Sequence, residues 1–455
     1  MDLLNGRIWS SIIAFALPLA LTSMLQQLFN AADVAILGQF VGKEAMAAVG
    51  SDSPVVGLFV NFFVGLSIGA NVVISNLTGK GNERRVSQAV HTSLVLAVMC
   101  GFAVMIAGLI MSVPIVRWMG APEAILPQAE LYLRIYLCGM PVILLYNFEA
   151  AIFRSQGDTR TPLICLTISG CINVGLNLFF VLVCGMKVDG VALATVIANA
   201  VSAAMLFVLL LRHEGLIRIE IDKLKMDKAI LRHVLRIGIP SGLQSMVFSV
   251  SNIIIQSAVN SLGAAVMAGS AAAFNIEIIS FFMLNSFTQT FVTFIGQNYG
   301  AGQYNRCHKI IRQGLMLDLA FTVALGMFLL LFSRSLLGIF NSDQEVIDAG
   351  ITRLKFILTA QSINCIMDGL SGVMRGFGYS MVPAVIMFVG TCGVRVFWVY
   401  AIFPIKRTFS LLMVCYPLSW IISSIAVIIA YFVIIRRVLP DKNGKLMSNA
   451  GNNIA

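Results

Sequence analysis

Charge is what this chain has least of. Asp, Glu, Lys and Arg together make up 11% of its 455 residues, against 58% hydrophobic, and the mean hydropathy is +0.89. A water-soluble globular protein of this length is excluded by that balance, and a polytopic membrane protein is what remains. Histidine is scarce as well. The four residues His91, His213, His233 and His308 lie in or beside short basic segments. No apolar run therefore holds a Ser–His pair, and no histidine set exists for a metal. The nine cysteines include no CxxC pair and fall almost entirely inside apolar runs, where they read as small packing residues. A phosphate-cradling glycine loop is missing too, which argues against direct ATP drive. The string GLSIG at 65–69 has the spacing of a serine-nucleophile elbow. That motif needs a strand, a turn and a helix, whereas here it sits in an apolar run and reads as small-residue helix packing.

What the chain has in abundance is membrane-length apolar sequence. Runs of about 20 residues, the length that crosses a hydrocarbon core, can be marked at 12–38, 55–77, 92–112, 131–153, 163–184, 191–211, 234–259, 270–295, 314–332, 351–374, 382–403 and 411–435. The expectation is an all-α integral membrane protein of twelve transmembrane helices in two pseudo-symmetric six-helix lobes. The first run has the length of a span and no small-residue cleavage site after it, so it reads as a span and not a removed signal. With the amino terminus inside, 21 of the 31 Lys and Arg residues fall on the inner side. Short cytoplasmic loops retain positive charge, so both termini are expected in the cytoplasm and the protein in the inner (plasma) membrane. The net charge of +10 is accounted for by those loops and their contact with anionic lipid headgroups, and there is no nucleic-acid signal.

The chain is one unit written twice. At an offset of 222, Pro18, Ser23, Met24 and Asn30 fall on Pro240, Ser245, Met246 and Asn252. At 221, Gly42, Gly79, Gly81, Arg85, Arg154, Gly157 and Pro162 fall on Gly263, Gly300, Gly302, Arg306, Arg375, Gly378 and Pro383. Six spans per repeat make the halves parallel repeats about an axis along the membrane normal, an arrangement from which alternating access follows. The expected division is an amino-terminal lobe at 1–212, a basic inner linker at 213–233, a carboxy-terminal lobe at 234–437 and a polar tail at 438–455.

The first run carries one carboxylate, Asp33, near its outer end, and a proline, Pro18, that removes a helix hydrogen bond and supplies a bend point. A charge in a spanning helix costs roughly 2.5–3.5 kcal/mol on insertion scales, so such acids mark functional sites by default. Asn173 and Asn177 lie four residues apart on one face of the fifth run, and Thr195 is in the sixth. With Asp33 they make a set of oxygen donors suited to a hard monovalent cation or a protonated carboxyl. Asp33 falls on Ile255 in the second half, so a coupling ion is expected mainly in the first lobe. Four further acids lie within the runs. Asp318 is expected to reach back to the basic loop of Arg306, Lys309 and Arg312, and Glu149 lies close to Arg154. Glu277 and Asp368 lie deeper, and Arg395 is a possible buried partner for either, in a structural pair or in substrate binding.

The stretches LPLALTSMLQQLFNAADVAILGQFVG, FRSQGDTRTP, INVGLNLFF, GVALATVIANAV, FVTFIGQNYGAGQ and GVMRGFG resemble the multidrug and toxic compound extrusion (MATE) transporters, of the bacterial DinF/MepA-like kind. The resemblance covers essentially the whole chain. It implies a secondary active transporter, not an enzyme: a cation-coupled antiporter that exports amphipathic, often cationic compounds, with H+ or Na+ as coupling ion, no cofactor and no metal. It maps the coupling site onto Asp33, Asn173, Asn177 and Thr195, with Tyr132 as a neighbour and Pro18 as the bend. Where archaeal-like members carry a second carboxylate, this chain has Asn177. Glu277 resembles the acid that MepA-like relatives place in span eight. Membrane lipids and small-molecule substrates are the implied partners, and the protein is expected to be a monomer. A flippase for lipid-linked saccharides, of the same superfamily, is the alternative.

Overall fold

The computed structural model describes residues 2–118, 123 and 125–439. All sixteen tail residues from 440 onward, and with them nearly all of the expected polar tail, lie outside the described residues. The described chain is all-helical: α1 (Ile8–Ile36), α2 (Lys43–Gly79), α3 (Glu83–Trp118), α4 (Leu126–Cys138), α5 (Met140–Ser155), α6 (Arg160–Leu178), α7 (Val188–Leu211), α8 (Lys228–Asn260), α9 (Ala264–Gly300), α10 (Tyr304–Leu331), α11 (Ser333–Gly338), α12 (Gln344–Gly376), α13 (Met381–Met387), α14 (Val394–Phe397), α15 (Phe409–Met413) and α16 (Cys415–Val438). Each of the twelve apolar runs is helical. Among the described residues, ten helices are long and apolar enough to cross a membrane, and the pair α4–α5, bent by 48° at Gly139, makes an eleventh. The run at 351–374 is helical in α12 but is less apolar than the others, with Gln361, Asn364 and Asp368 in its interior.

The chain divides into two compact units. One is Pro18–Gly242, and the other is Met1–Leu17 with Leu243–Ala455, as far as these are described. Both divisions fall on a proline-bearing helix, at Pro18 in α1 and two residues after Pro240 in α8. Each of these helices runs on through its proline without a break. In the first unit Thr22 Oγ1 donates to Pro18 O at 2.8 Å and Ser23 Oγ to Leu19 O at 3.4 Å, back-bonds of the kind that bend helices. The repeat is visible in the backbone. Gly42 and Gly263, at equivalent positions between the first two helices of each half, adopt φ of 124° and 105°, which side chains with a Cβ rarely reach.

Close helix approach holds the first unit together. A Cβ on Gly65 would lie 2.5 Å from Gly242 Cα, and one on Gly242 would lie 2.5 Å from Phe62 O. The GLSIG string is therefore the crossing point of α2 and α8. Ser67 Oγ donates to Val64 O at 2.8 Å within its own helix, which spends the hydroxyl on the backbone. Replacing Gly65 with Ala is expected to cost about 1–3 kcal/mol, because the added atom meets backbone that cannot rotate away. Gly175→Ala, where nothing lies within 4 Å, is expected to be neutral or slightly stabilising. Thermal unfolding of the two purified variants measures the difference, and equal midpoints would count against this packing.

The linker docks on α3 of the first unit. Ile217 and Ile219 are buried in its core. His91 donates from Nδ1 to Ser87 O at 2.6 Å, which leaves Nε2 to accept from the Glu220 N–H at 3.0 Å. Asp227 N–H donates to Thr92 Oγ1 at 3.0 Å. The expected linker thus begins as a packed strap, with Lys228 onward already in α8. In the second unit, α12 packs between α9, α10 and α16; a Cβ on its Gly372 would stand 2.6 Å from Thr288 O of α9. Toward the other end of the same helices Ala273, Ile276, Leu329, Leu354 and Leu358 form an apolar cluster.

Candidate cation-coupling site

Asp33 lies on the face of α1 that also carries the buried Ile36 and Leu37. Its side chain is 5% exposed, and both carboxylate oxygens are held by donors from other helices. Asn177 Nδ2 on α6 donates to Oδ1 at 2.5 Å, and Thr195 Oγ1 on α7 lies 3.0 Å from Oδ2. Asn173 completes the set, donating from Nδ2 to Thr195 Oγ1 at 3.3 Å and accepting at Oδ1 from Asn177 Nδ2 at 3.3 Å. The four-residue spacing of the two asparagines stacks their amides on one face of α6. Asn199 Nδ2 then donates to the Thr195 carbonyl at 2.8 Å, fixing α7 one turn further in.

Two features suit this cluster to a small hard cation or to a proton. All its converging acceptors are oxygens, the ligand type such ions select. Asn177 Oδ1 is buried without a hydrogen-bond partner, an acceptor beside a carboxylate with room in its bonding for a cation or a carboxyl proton. Single π-helical turns follow the site on both helices, at Leu37–Val41 after α1 and Phe179–Val183 after α6. Such turns recur at functional positions, since they loosen the helix ladder locally.

The structure thus brings Asp33, Asn173, Asn177 and Thr195 into one hydrogen-bonded cluster. Tyr132 on α4 is placed beside it by packing. It is buried with Ile36, Leu37, Ala45 and Val49, and its ring stacks on Tyr136 at 6.2 Å. Asp52 escaped the sequence reading. The second apolar run begins at residue 55, but α2 starts at Lys43 and carries Asp52, which is fully buried. The signal that would have found it is symmetry about Gly42. Asp33 precedes that turn by nine residues and Asp52 follows it by ten, which sets two carboxylates at similar depth in an antiparallel pair.

The second unit pairs its charges differently from expectation. Glu277 bonds not to Arg395 but to Arg353, through Nη2 to Oε1 at 2.6 Å and Nε to Oε2 at 3.1 Å. Ser270 Oγ accepts from Arg353 Nη1 at 2.8 Å. Arg353 stands near the start of the 351–374 run, and helix α12 carries it into the interior, where it is 4% exposed. Arg395 instead lies among aromatic rings, 4.4 Å from the Tyr416 centroid, 5.2 Å from Phe248 and 5.8 Å from Trp420. Its Nε donates to Ser419 Oγ at 3.1 Å and its Nη1 to Asn252 Oδ1 at 3.4 Å. Asp368 is only partly buried and has no ion pair among the described residues; Arg375 and Arg395 act on it at longer range.

Neither of two further expected ion pairs forms among the described residues. Asp318 accepts from Thr322 Oγ1 at 3.3 Å, while Arg306 donates to the carbonyls of Leu3 and Gly6. The cause is direction: Arg306 extends to the amino-terminal segment of its own unit. Arg154 donates from Nε to Ala150 O at 3.2 Å, and Glu149 on the neighbouring turn is fully buried with neither oxygen bonded.

A helical unit written twice in the chain, and a carboxylate–amide–hydroxyl cluster inside an apolar bundle, define a membrane transporter. A family model described as MatE matches the chain twice, over residues 18–179 and 240–401, and the chain belongs to that family. Both matches begin on the repeat's proline, Pro18 and Pro240. Members of the family are transporters and not enzymes, and so is this chain. It is 29% identical over 404 residues to the probable multidrug resistance protein YoeA of Bacillus subtilis, covering 86% of both chains. It is 30% identical over 385 residues to the probable multidrug resistance protein NorM of Thermotoga maritima, covering 83% of this chain and 82% of that one. The fold is that of a solved MOP superfamily transporter from Pyrococcus furiosus, with a TM-score of 0.87 at 22% identity over 96% of this chain and 97% of that one.

Proposed function

We propose that the protein is a cation-coupled antiporter that exports amphipathic, often cationic compounds from the cytoplasm by alternating access. One observation carries the reading: Asp33 is buried against Asn177 and Thr195 while Asn177 Oδ1 beside it has no partner. A carboxylate taken out of water is costly unless neutralised, so the cluster favours an occupant carrying positive charge, H+ or Na+. Occupancy from outside neutralises Asp33, lets α1 bend at Pro18 and releases substrate; return of the emptied transporter delivers the ion inward. The relatives' designation as multidrug resistance proteins supports the substrate class. The protein acts as a monomer in the inner membrane with both termini in the cytoplasm, contacting lipid headgroups through its basic inner loops. The lobes implied by the repeat, 1–212 and 234–437, are the units that rock.

The test is efflux of a fluorescent organic cation from proteoliposomes under an imposed pH gradient or an imposed sodium gradient. Efflux driven by one of the two names the ion. Movement driven by neither would return the choice to the flippase reading. That alternative draws on Arg395, whose Nη2 is buried without a hydrogen-bond partner and which offers a guanidinium to an anionic headgroup.

A further inference from the structure

Asp52 has no place in the cluster just described, yet no described residue around it explains its burial. It is 0% exposed, and neither carboxylate oxygen has a hydrogen-bond partner. Among the described residues no guanidinium, ammonium or side-chain donor acts on it. A bare carboxylate taken out of water in that position is untenable, so the group must take up a neutralising partner.

Its position points to what that partner does. Ala45, Val49 and Asp52 share one face of α2, and Asp33, Ile36 and Leu37 share one face of α1. Ala45, Val49, Ile36 and Leu37 pack into one cluster with Tyr132 of α4. Asp33 and Asp52 each sit one turn deeper than that cluster on their own helix. Tyr132 is the titratable group that α4 presents here, with Tyr136 stacked behind it. Of the other elements packed on α2, the π-turn Leu37–Val41 presents no titratable side chain, and none on α3, α5 or α7 acts on Asp52. Among the described residues, the amides and hydroxyl that dress Asp33 have no counterpart around Asp52. A sodium ion would need several such oxygens, whereas a proton needs only the carboxylate.

We propose that Asp52 is a second proton-binding carboxylate of the first unit, so that each transport cycle carries two protons, one on Asp33 and one on Asp52. Each carboxylate takes one H+ from the outside water to become a neutral carboxyl and later returns it to the cytoplasm. The inference rests on the antiport reading above and specifies its ion and stoichiometry.

Ethidium accumulation in proteoliposomes tests it, with the membrane potential clamped at zero by valinomycin and equal potassium. Under a one-unit pH gradient a two-proton exchanger sustains about a 100-fold ethidium gradient at equilibrium, and a one-proton exchanger about 10-fold, since each proton contributes one factor of ten per pH unit. Wild type is expected to reach the first value, Asp52→Asn the second and Asp33→Asn neither. A wild-type gradient of about 10-fold, an unchanged gradient in Asp52→Asn, or transport driven by sodium alone overturns the second proton while leaving coupled antiport standing. Movement under neither gradient removes both. Should Asp52→Asn fail to fold, wild-type protein is treated with a membrane-soluble carbodiimide, which modifies protonated carboxyl groups, and the peptides are weighed. Labelling at Asp52 that falls as the pH is raised supports the proposal; no label at Asp52 at any pH overturns it.

Discussion

Asp33→Asn is expected to reduce gradient-driven efflux to the level of empty liposomes while the protein inserts and purifies like wild type. The reason lies in what the amide keeps and what it loses. Asn is nearly isosteric with Asp, so Asn173, Asn177 and Thr195 retain a partner of the same shape. The charge that must be neutralised and released in each cycle is gone, and with it the only carboxylate bonded into the cluster. A ligand shifts a conformational equilibrium only by its differential affinity for the two states, and a site without a carboxylate has little difference to offer a cation. Efflux from proteoliposomes under both gradients is the measurement. Retained transport at the wild-type rate would remove Asp33 from the coupling mechanism.

Glu277→Gln is expected to cost about 3–5 kcal/mol of stability, the usual consequence of removing one partner of a buried ion pair. Arg353 would keep its charge in an environment where it is 4% exposed, with Ser270 and nearby rings as its remaining partners. The double variant Glu277→Gln/Arg353→Met removes both charges and is expected to recover most of the loss, because an apolar side chain of similar length suits the site. Thermal unfolding in detergent reads both. If the single variant unfolds with the wild type, the pair is not a stabilising contact. If it unfolds with the wild type but loses substrate affinity, Glu277 belongs to substrate binding.

The two variants separate two kinds of buried charge. In the second unit, opposite charges meet in a bidentate bond and the interior is internally neutral at that point. In the first unit, Asp33 and Asp52 have no cation of the protein's own among the described residues. A structural pair keeps its partner; a carboxylate that must exchange its partner in every cycle cannot have a permanent one. Within the repeat this asymmetry is written at two positions, Asp33 in the first half against the buried Ile255 in the second and Asp52 against the buried Ala273.

How much of this was legible in the chain alone varied with the distance between the residues concerned. The helices were legible because membrane-length apolar runs admit one backbone solution, in which every N–H and C=O is satisfied within its own segment. The repeat was legible because glycines, prolines and arginines at turns keep their spacing. At Gly42 and Gly263 the reason is visible in the backbone, whose positive φ favours glycine. The grouping of Asp33 with Asn173, Asn177 and Thr195 followed from polar residues being costly in lipid, so that those on three helices turn toward one another.

Which segments are helical, that they occur twice, and which polar residues must face inward all follow from the order of residues alone. Which inward residue meets which follows from the packing of distant helices. Arg353 and Arg395 are both basic residues of the second half, and no local signal tells which of them reaches Glu277. The path of α12 past α9, set by glycines that allow close approach, places Arg353 there and leaves Arg395 among Tyr416, Phe248 and Trp420. Asp52 shows the same limit from the other side. Its burial depends on α2 beginning at Lys43 and turning its Ala45–Val49 face onto Tyr132. Composition reports how apolar a segment is, but the facing of one helix on another is fixed only when side chains from distant parts of the chain pack together.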